Sequence, residues 1–141
     1  MGFKVALRDL VRTYQAFDRC SRDHISSFGL TQTQFDVIGT LGNQSEMTIK
    51  DLVANTLVTK GTITGVLQHL EKDGLINKRF NENDARSQFI KLTPKGQCLF
   101  EIIFPRQMNY LKASFDNLTE SELKNLSALL VLLKQAFEKN R

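Results

Sequence analysis

A ten-residue run, from Thr59 to Gln68, carries polar groups that could bind phosphates and the edges of bases. Ammonium, hydroxyl and amide groups hydrogen-bond to phosphate oxygens and base edges, and glycines allow close approach to the backbone. The groups concerned are Lys60, Gly61, Thr62, Thr64, Gly65 and Gln68. The same residues could instead form an ordinary solvated surface, so this face alone leaves both interpretations open.

A helix must present these groups on one side. Apolar residues recur at three- and four-residue spacing on the other side, which predicts a buried stripe of Ile63, Val66, Leu67 and Leu70. Thr59 is a good N-cap residue, and Gly74 can take the left-handed conformation that ends a helix. The first two turns contain no acid, although the helix dipole favours negative charge there. The N-terminal amides are therefore available to an anion.

Two short helices are predicted before this one. Thr31 and Gln34 form a capping box that starts a helix, which Gly42 and Asn43 end after Leu41. Thr48 caps the next helix, which ends near Asn55. A four-residue turn, 55–58, then leads to Thr59, and this arrangement is typical of a helix-turn-helix.

A β-hairpin is predicted after Gly74. Residues 75–80 and 87–92 alternate apolar and polar side chains, as a hairpin with one wet face would. The six residues between them, 81–86, are polar and charged, and we expect them to form the loop.

The chain termini predict long apolar helices. One spans 3–28 and ends at Gly29; a second follows Thr93 and should kink or split at Pro105; a third starts with a capping box of Thr119 and Glu122. Apolar residues surround much of the last helix, more than one core-facing stripe requires. Helices of this kind in a chain of 141 residues imply burial against a second copy.

The composition permits a partner of negative charge. The net charge is +4, and residues 48–96 contribute eight basic and five acidic side chains. Cys20 and Cys98 are too few for a disulfide framework or a metal site. No signal peptide or membrane-spanning run is evident, so we expect a cytoplasmic location.

Four segments resemble the MarR family of bacterial winged-helix transcription regulators: LTQTQFDVIGTL, MTIKDLVANTLVTKGTITGVLQHLEKDGLI, NDAR and IKLTPKG. The resemblance implies a mostly α fold with a small β-hairpin wing. Residues 30–93 would be a winged helix-turn-helix that binds DNA, and residues 1–29 and 94–141 would be terminal helices that form a homodimer.

On this resemblance the helix from Thr59 to Asp73 lies in the major groove. Arg86 enters the minor groove and Asp84 orients it, while Lys78 stands where the family usually has arginine. The residues expected to bind DNA are Thr48, Thr59, Lys60, Gly61, Thr62, Thr64, Gly65, Gln68, Lys78, Asp84 and Arg86.

The implied function is sequence-specific binding of double-stranded DNA at a palindromic operator, by a repressor that a small aromatic ligand or oxidation releases. Tyr14, Phe17, Phe35 and Phe104 are the candidate effector pocket, although packing explains them equally well. Cys20 is the candidate redox sensor, since some relatives use a cysteine in the first helix; free cysteine is otherwise a small buried hydrophobe.

The alternative class is a winged-helix protein-interaction module that does not bind DNA. No catalytic triad, glycine-rich phosphate loop or metal-ligand spacing is visible, so neither an enzyme nor a cofactor is expected.

Overall fold

The computed structural model describes the backbone of residues 2–141 and the side chains of all of these except 84–86. The elements, in chain order, are α1 (Gly2–Ser26), α2 (Gln32–Leu41), β1 (Met47–Thr48), α3 (Ile49–Asn55), α4 (Lys60–Lys72), β2 (Ile76–Asn81), β3 (Asp84–Leu92), α5 (Pro94–Phe115) and α6 (Glu120–Lys139). The fold is mostly α with a small antiparallel wing, as predicted. Packing divides the chain into two compact units, one ending at Gln107 and the other spanning 108–141.

The helices of the first unit start where the caps predicted. The Thr31 hydroxyl accepts from the Gln34 amide at 3.2 Å, and the Gln34 side chain accepts from the Thr31 amide at 2.9 Å. The Thr48 hydroxyl accepts from the amide of Asp51 at 3.1 Å. These bonds satisfy amides that the first helical turn leaves without intrahelical partners.

Helix α4 ends in a Schellman motif. Gly74 has φ +76°, its amide donates to the carbonyl of Glu71 at 3.0 Å, and the amide of Leu75 donates to that of Leu70 at 2.9 Å. The predicted stop is therefore confirmed. It turns the chain directly into β2, which fixes the wing beside α4.

The core lies on the side of α4 that is opposite its polar face. Ile63, Leu67 and Leu70 are buried as predicted, and Val66 is half-buried. They belong to one cluster with buried residues from the neighbouring elements: Ile25, Phe35, Val37, Ile38, Leu41, Leu52, Val58, Leu75, Ile76, Ile90, Phe100 and Ile103.

The end of α2 depends on Gly42 for a reason that sequence periodicity does not give. Gly42 has φ −59°, which any residue can adopt, and Asn43 takes the left-handed conformation with φ +65°. A Cβ atom at Gly42 would lie 2.1 Å from the ring of Phe100. Gly42 is therefore required for packing against α5.

The sheet has three strands in the order β1-β3-β2, not the two that we predicted. Met47 and Thr48 pair with Ile90 and Phe89. The two-residue strand is not visible in the sequence because Thr48 also caps α3, and a helix start dominates the local pattern.

The wing loop is shorter than predicted. Asn81 pairs with Asp84, so the turn is residues 82 and 83 and not the whole segment 81–86. Backbone pairing in a hairpin does not require buried side chains, so it continues past the end of the core. The predicted alternation fails at the same place, because Phe80 is 68% exposed.

Helix α5 continues through Pro105, so of the predicted kink or split the split does not occur, and the kink stays a prediction. Its start is as predicted, with the Thr93 hydroxyl accepting from the amide of Gly96 at 3.0 Å. The predicted capping box of Thr119 and Glu122 begins α6 in the second unit.

The terminal helices leave apolar side chains in solvent. On α1 these are Phe3, Val5, Leu7, Val11, Tyr14 and Phe17; on α6 they are Leu126, Leu129, Leu130, Val131, Leu132, Leu133 and Phe137. Among the described residues, no helix has the length and apolar character needed to cross a bilayer.

Candidate nucleic-acid interface

The polar face of α4 is exposed along its whole length. Lys60, Gly61, Thr62, Thr64, Gly65 and Gln68 all lie in solvent, opposite the buried stripe. The first turn contains no acid. The surface thus offers an ammonium group, hydroxyls and an amide to a ligand, with no negative charge in that turn to repel a phosphate.

The two glycines on this face are not required by the interior. A Cβ atom at Gly61 or Gly65 would meet nothing within 4 Å. Each glycine lowers helix stability by about 1 kcal/mol relative to alanine. They are one turn apart, and together they make a flat strip on the exposed side of α4.

The start of α4 differs from the starts of α2, α3 and α6. Thr59 occupies the N-cap position, but its side chain accepts no capping bond and donates to the Thr62 hydroxyl at 3.1 Å. The first amides of α4 are consequently left without a side-chain cap. Uncapped N-terminal amides are a common binding site for phosphate.

The start of α2 borders the same surface, which the sequence did not indicate. Thr62 and Gly65 line one wall of a cleft of about 570 Å³, and Thr31, Thr33 and Gln34 line another. The cleft could have been found only from the packing of α2 on α4, since the residues are about thirty apart in sequence.

Lys78 and Thr48 are less open than the α4 residues. The Lys78 ammonium lies 3.7 Å from a carboxylate oxygen of Glu71, and the side chain is 19% exposed. Thr48 is half-buried, and its hydroxyl oxygen already caps α3. The side chains of Asp84 and Arg86 lie outside the described residues, although the backbone of β3 begins at Asp84.

Arg79 is a basic residue of the wing that the sequence analysis missed. Its Nε and Nη2 atoms donate to the two carboxylate oxygens of Glu46, at 3.0 and 2.5 Å, and its guanidinium lies 4.4 Å from the centroid of the Phe89 ring. The hydrogen bond from Arg79 lowers the pKa of Glu46 and raises that of Arg79. The pair links β2 to the segment before β1.

The same architecture occurs in known proteins. An uncharacterised HTH-type transcriptional regulator of Bacillus cereus is 31% identical over 140 residues, which span 99% of this chain and 92% of that protein. A sequence model of the MarR family matches residues 30–88. The chain belongs to the MarR family of transcriptional regulators.

Solved structures support the same fold. MepR of Staphylococcus aureus, solved as a DNA complex, gives a TM-score of 0.79 at 23% identity and covers 90% of this chain and 95% of its own. NadR, solved with 4-hydroxyphenylacetate, gives a TM-score of 0.72 at 27% identity and covers 88% of each chain. In this MarR-family chain, α3 and α4 are therefore the helix-turn-helix, and β2 and β3 are the wing.

The candidate effector residues of this MarR-family chain separate into two pairs. The rings of Phe35 and Phe104 stack at 6.4 Å and 11°, and both line a cleft of about 550 Å³. Tyr14 and Phe17 contact each other on the exposed side of α1 and do not line that cleft. Cys20 is half-buried and Cys98 is exposed, and both are free thiols.

A hydrogen-bonded chain of polar side chains connects α1, α2 and α5 beside this cleft. The Gln107 amide is buried, accepts from His24 Nδ1 at 2.6 Å and donates to the Ser21 hydroxyl at 3.1 Å. Ser21 donates to Gln32, and Gln32 donates to Asp36 at 2.8 Å. Because Gln107 turns its oxygen toward His24, the Nδ1 atom of that ring carries a hydrogen.

Proposed function

We propose that the protein is a homodimeric repressor that binds a palindromic operator through α4 and the wing. The observation that carries the proposal is the exposed face of α4, where two glycines stand in open space next to Lys60 and the threonine hydroxyls. The two glycines make no close contact inside the protein and lower the stability of the helix. They would, however, allow the helix backbone to approach the base edges closely.

Residues 30–93 are proposed as the DNA-binding part, with direct contacts from Lys60, Thr62, Thr64 and Gln68. Arg86, with Asp84 orienting it, is proposed to enter the minor groove, where an arginine is attracted by the concentrated negative potential. We add Arg79 to the proposed DNA contacts because it lies in the wing. Its ion pair with Glu46 fixes its guanidinium there.

Residues 1–29 and 94–141 are proposed to form the dimer. Phe3 on α1 is 69% exposed, and Leu129 and Leu132 on α6 are 64% and 62% exposed in the single chain. Large apolar side chains exposed along a helix support an interaction site on each of these two helices. A second copy of the chain offers the same apolar surface, so two copies can bury both.

Binding to duplex DNA is tested by selecting bound sequences from a random pool and then titrating the selected duplex at several salt concentrations. We expect the logarithm of the binding constant to fall linearly with the logarithm of salt concentration, because phosphate contacts release counterions. Binding that does not depend on salt, or no binding to any duplex, would favour a protein-interaction module.

The wing is tested separately with Arg86→Ala. We expect the variant to weaken operator binding by about 1–3 kcal/mol while the dimer stays intact in sedimentation velocity. Lys124→Ala removes an exposed positive charge from α6 and serves as the control for net charge. Equal affinities of Arg86→Ala and the parent would remove the wing from the proposal.

Release by a ligand is the second part of the proposal. The cleft beside Phe35 and Phe104 supports it, because its volume falls within the range of about 300–1,000 Å³ of small-molecule sites. A ligand shifts the protein away from DNA only if it binds the two states with different affinities. Oxidation of Cys20 remains a proposed alternative trigger, tested by comparing operator binding of Cys20→Ser with the parent after peroxide treatment.

A further inference from the structure

The cleft of about 550 Å³ has an aromatic wall. It lies between α2, the end of α3 and α5, and its lining residues are Phe35, Asp36, Gly39, Thr40, Ala54, Asn55, Thr56, Leu57 and Phe104. The Phe104 ring stacks on Phe35 at 6.4 Å and on Phe100 at 5.1 Å. The faces of such rings carry negative charge density and attract cations.

Asp36 is the one ionisable side chain among the lining residues in the described part of the chain. Its carboxylate accepts a hydrogen bond from Gln32 at 2.8 Å, and the nearby Arg22 is itself paired with Asp18 at 2.9 Å. Burial raises the pKa of Asp36, while the Gln32 bond and the charge of Arg22 lower it. The effect of burial is the larger, so the charged form of Asp36 is destabilised. A cation in the cleft would stabilise it.

Two neutral polar side chains of the cleft, Asn55 and Thr56, each donate a hydrogen bond to the backbone of α3. Asn55 Nδ2 donates to the carbonyl of Asp51 at 2.8 Å, and the Thr56 hydroxyl donates to the carbonyl of Leu52 at 2.7 Å. Their oxygen atoms keep acceptor capacity. Asp36, Asn55 and Thr56 thus favour a ligand that donates hydrogen bonds.

We propose that this cleft binds a small aromatic ammonium compound, with its ring against Phe35 and Phe104 and its cation at Asp36. The inference deepens the proposed ligand-controlled function and rests on it for its regulatory consequence, but not for binding itself. It differs from the case of NadR, whose solved ligand is a carboxylate. A carboxylate here would meet the like charge of Asp36 with no lysine or arginine among the lining residues that the structure describes.

The test is calorimetry of the full chain, without DNA, with three ligands that share a phenol ring: tyramine, 4-ethylphenol and 4-hydroxyphenylacetate. They differ in carrying an ammonium group, no charge and a carboxylate. We expect tyramine to bind tightest and 4-hydroxyphenylacetate weakest, with a ratio of about tenfold or more between them, since the charge at Asp36 changes from attractive to repulsive.

Asp36→Asn keeps the shape of the side chain and removes its charge. We expect it to reduce tyramine affinity about tenfold and to leave 4-ethylphenol affinity unchanged, because only the ammonium group interacts with the carboxylate. Asp23→Asn removes an exposed carboxylate from α1, outside the cleft, and should leave all three affinities unchanged. If circular dichroism shows that Asp36→Asn is misfolded, Phe104→Leu provides a second test. It removes the stacked ring and should weaken tyramine binding.

Tightest binding of the carboxylate, equal tyramine affinity for Asp36→Asn and the parent, or no binding of any of the three would overturn the inference. These results do not depend on operator binding, which the salt titration measures separately. Tyramine that binds as expected but leaves operator affinity unchanged would support the site and contradict release by ligand.

Discussion

Gly61 and Gly65 lower the stability of α4 at positions where the protein itself has room for a side chain. A glycine inside a helix often makes room for a close neighbour, as Gly96 in α5 does for the carbonyl oxygen of Leu75. No such contact exists at Gly61 or Gly65 among the described residues. The approaching group is therefore expected to be external, and DNA is the candidate.

Gly65→Ala separates the two effects of this residue. We expect the free energy of unfolding to rise by about 0.5–1 kcal/mol, because alanine is the better helix former and meets no neighbour. We expect operator affinity to fall, because the added methyl group lies on the face proposed to approach the bases. Urea unfolding measures the change in stability, and a DNA titration of the same variant measures the change in operator affinity. Higher stability with unchanged DNA affinity would mean that Gly65 does not face the groove.

The polar residues of α4 could be assigned to one face from sequence, because the stripe of Ile63, Leu67 and Leu70 fixes the opposite face. Arg79 could not be assigned in the same way. Its carboxylate partner Glu46 is 33 residues away, and the contact exists only because the segment before β1 lies beside the wing. Local periodicity contains no information about such a pair.

Elements with local start and stop signals were the most predictable. Thr31, Thr48 and Thr119 cap helices at the predicted places, and Gly74 ends α4. Strand β1 was missed because two residues carry no periodicity. Of the two outcomes predicted at Pro105, the split does not occur, because the residues on both sides of the proline continue α5. The kink stays a prediction.

The junction between α2 and α5 gives a prediction at the scale of elements. Gly42→Ala would place a methyl group 2.1 Å from the buried ring of Phe100. We expect a loss of about 1–3 kcal/mol in the free energy of unfolding, which is typical of overpacking. Since φ −59° suits alanine, backbone strain does not contribute.

The double variant Gly42→Ala, Phe100→Leu is the control for this contact. A smaller side chain at position 100 makes room for the methyl group, so the two losses should sum to more than the loss in the double variant. Additive losses would show that the ring of Phe100 is not what Gly42 accommodates.

Whole-molecule behaviour depends on surfaces that the single chain leaves uncovered. Many of the large apolar residues of α1 and α6 are exposed, whereas the helix-turn-helix helices bury theirs. Sequence could predict this difference because the apolar residues of α6 surround the helix and no single core can cover them. It could not predict which residues pair across two copies, since no periodic pattern specifies the partner surface.

Leu132→Glu is expected to convert the proposed dimer to monomer. Leu132 is 62% exposed in the single chain, so the substitution leaves the core of the first unit intact. In the proposed dimer it would remove an apolar contact and bury a charge, and we expect the dissociation constant to rise about 100-fold or more, which corresponds to about 2.7 kcal/mol. Sedimentation velocity over a concentration series measures it.

Gln44→Glu adds the same charge to an exposed residue of the loop after α2, outside the segments proposed to form the dimer, and is the control for charge. It should leave the dimer intact. For Leu132→Glu, binding to a palindrome should fall toward that of a single half-site, because a monomer presents one α4 to the DNA. If Leu132→Glu remains dimeric at the concentrations where the parent is dimeric, α6 does not form the interface. If it is monomeric yet binds the palindrome as tightly as the parent, the two α4 helices do not act together.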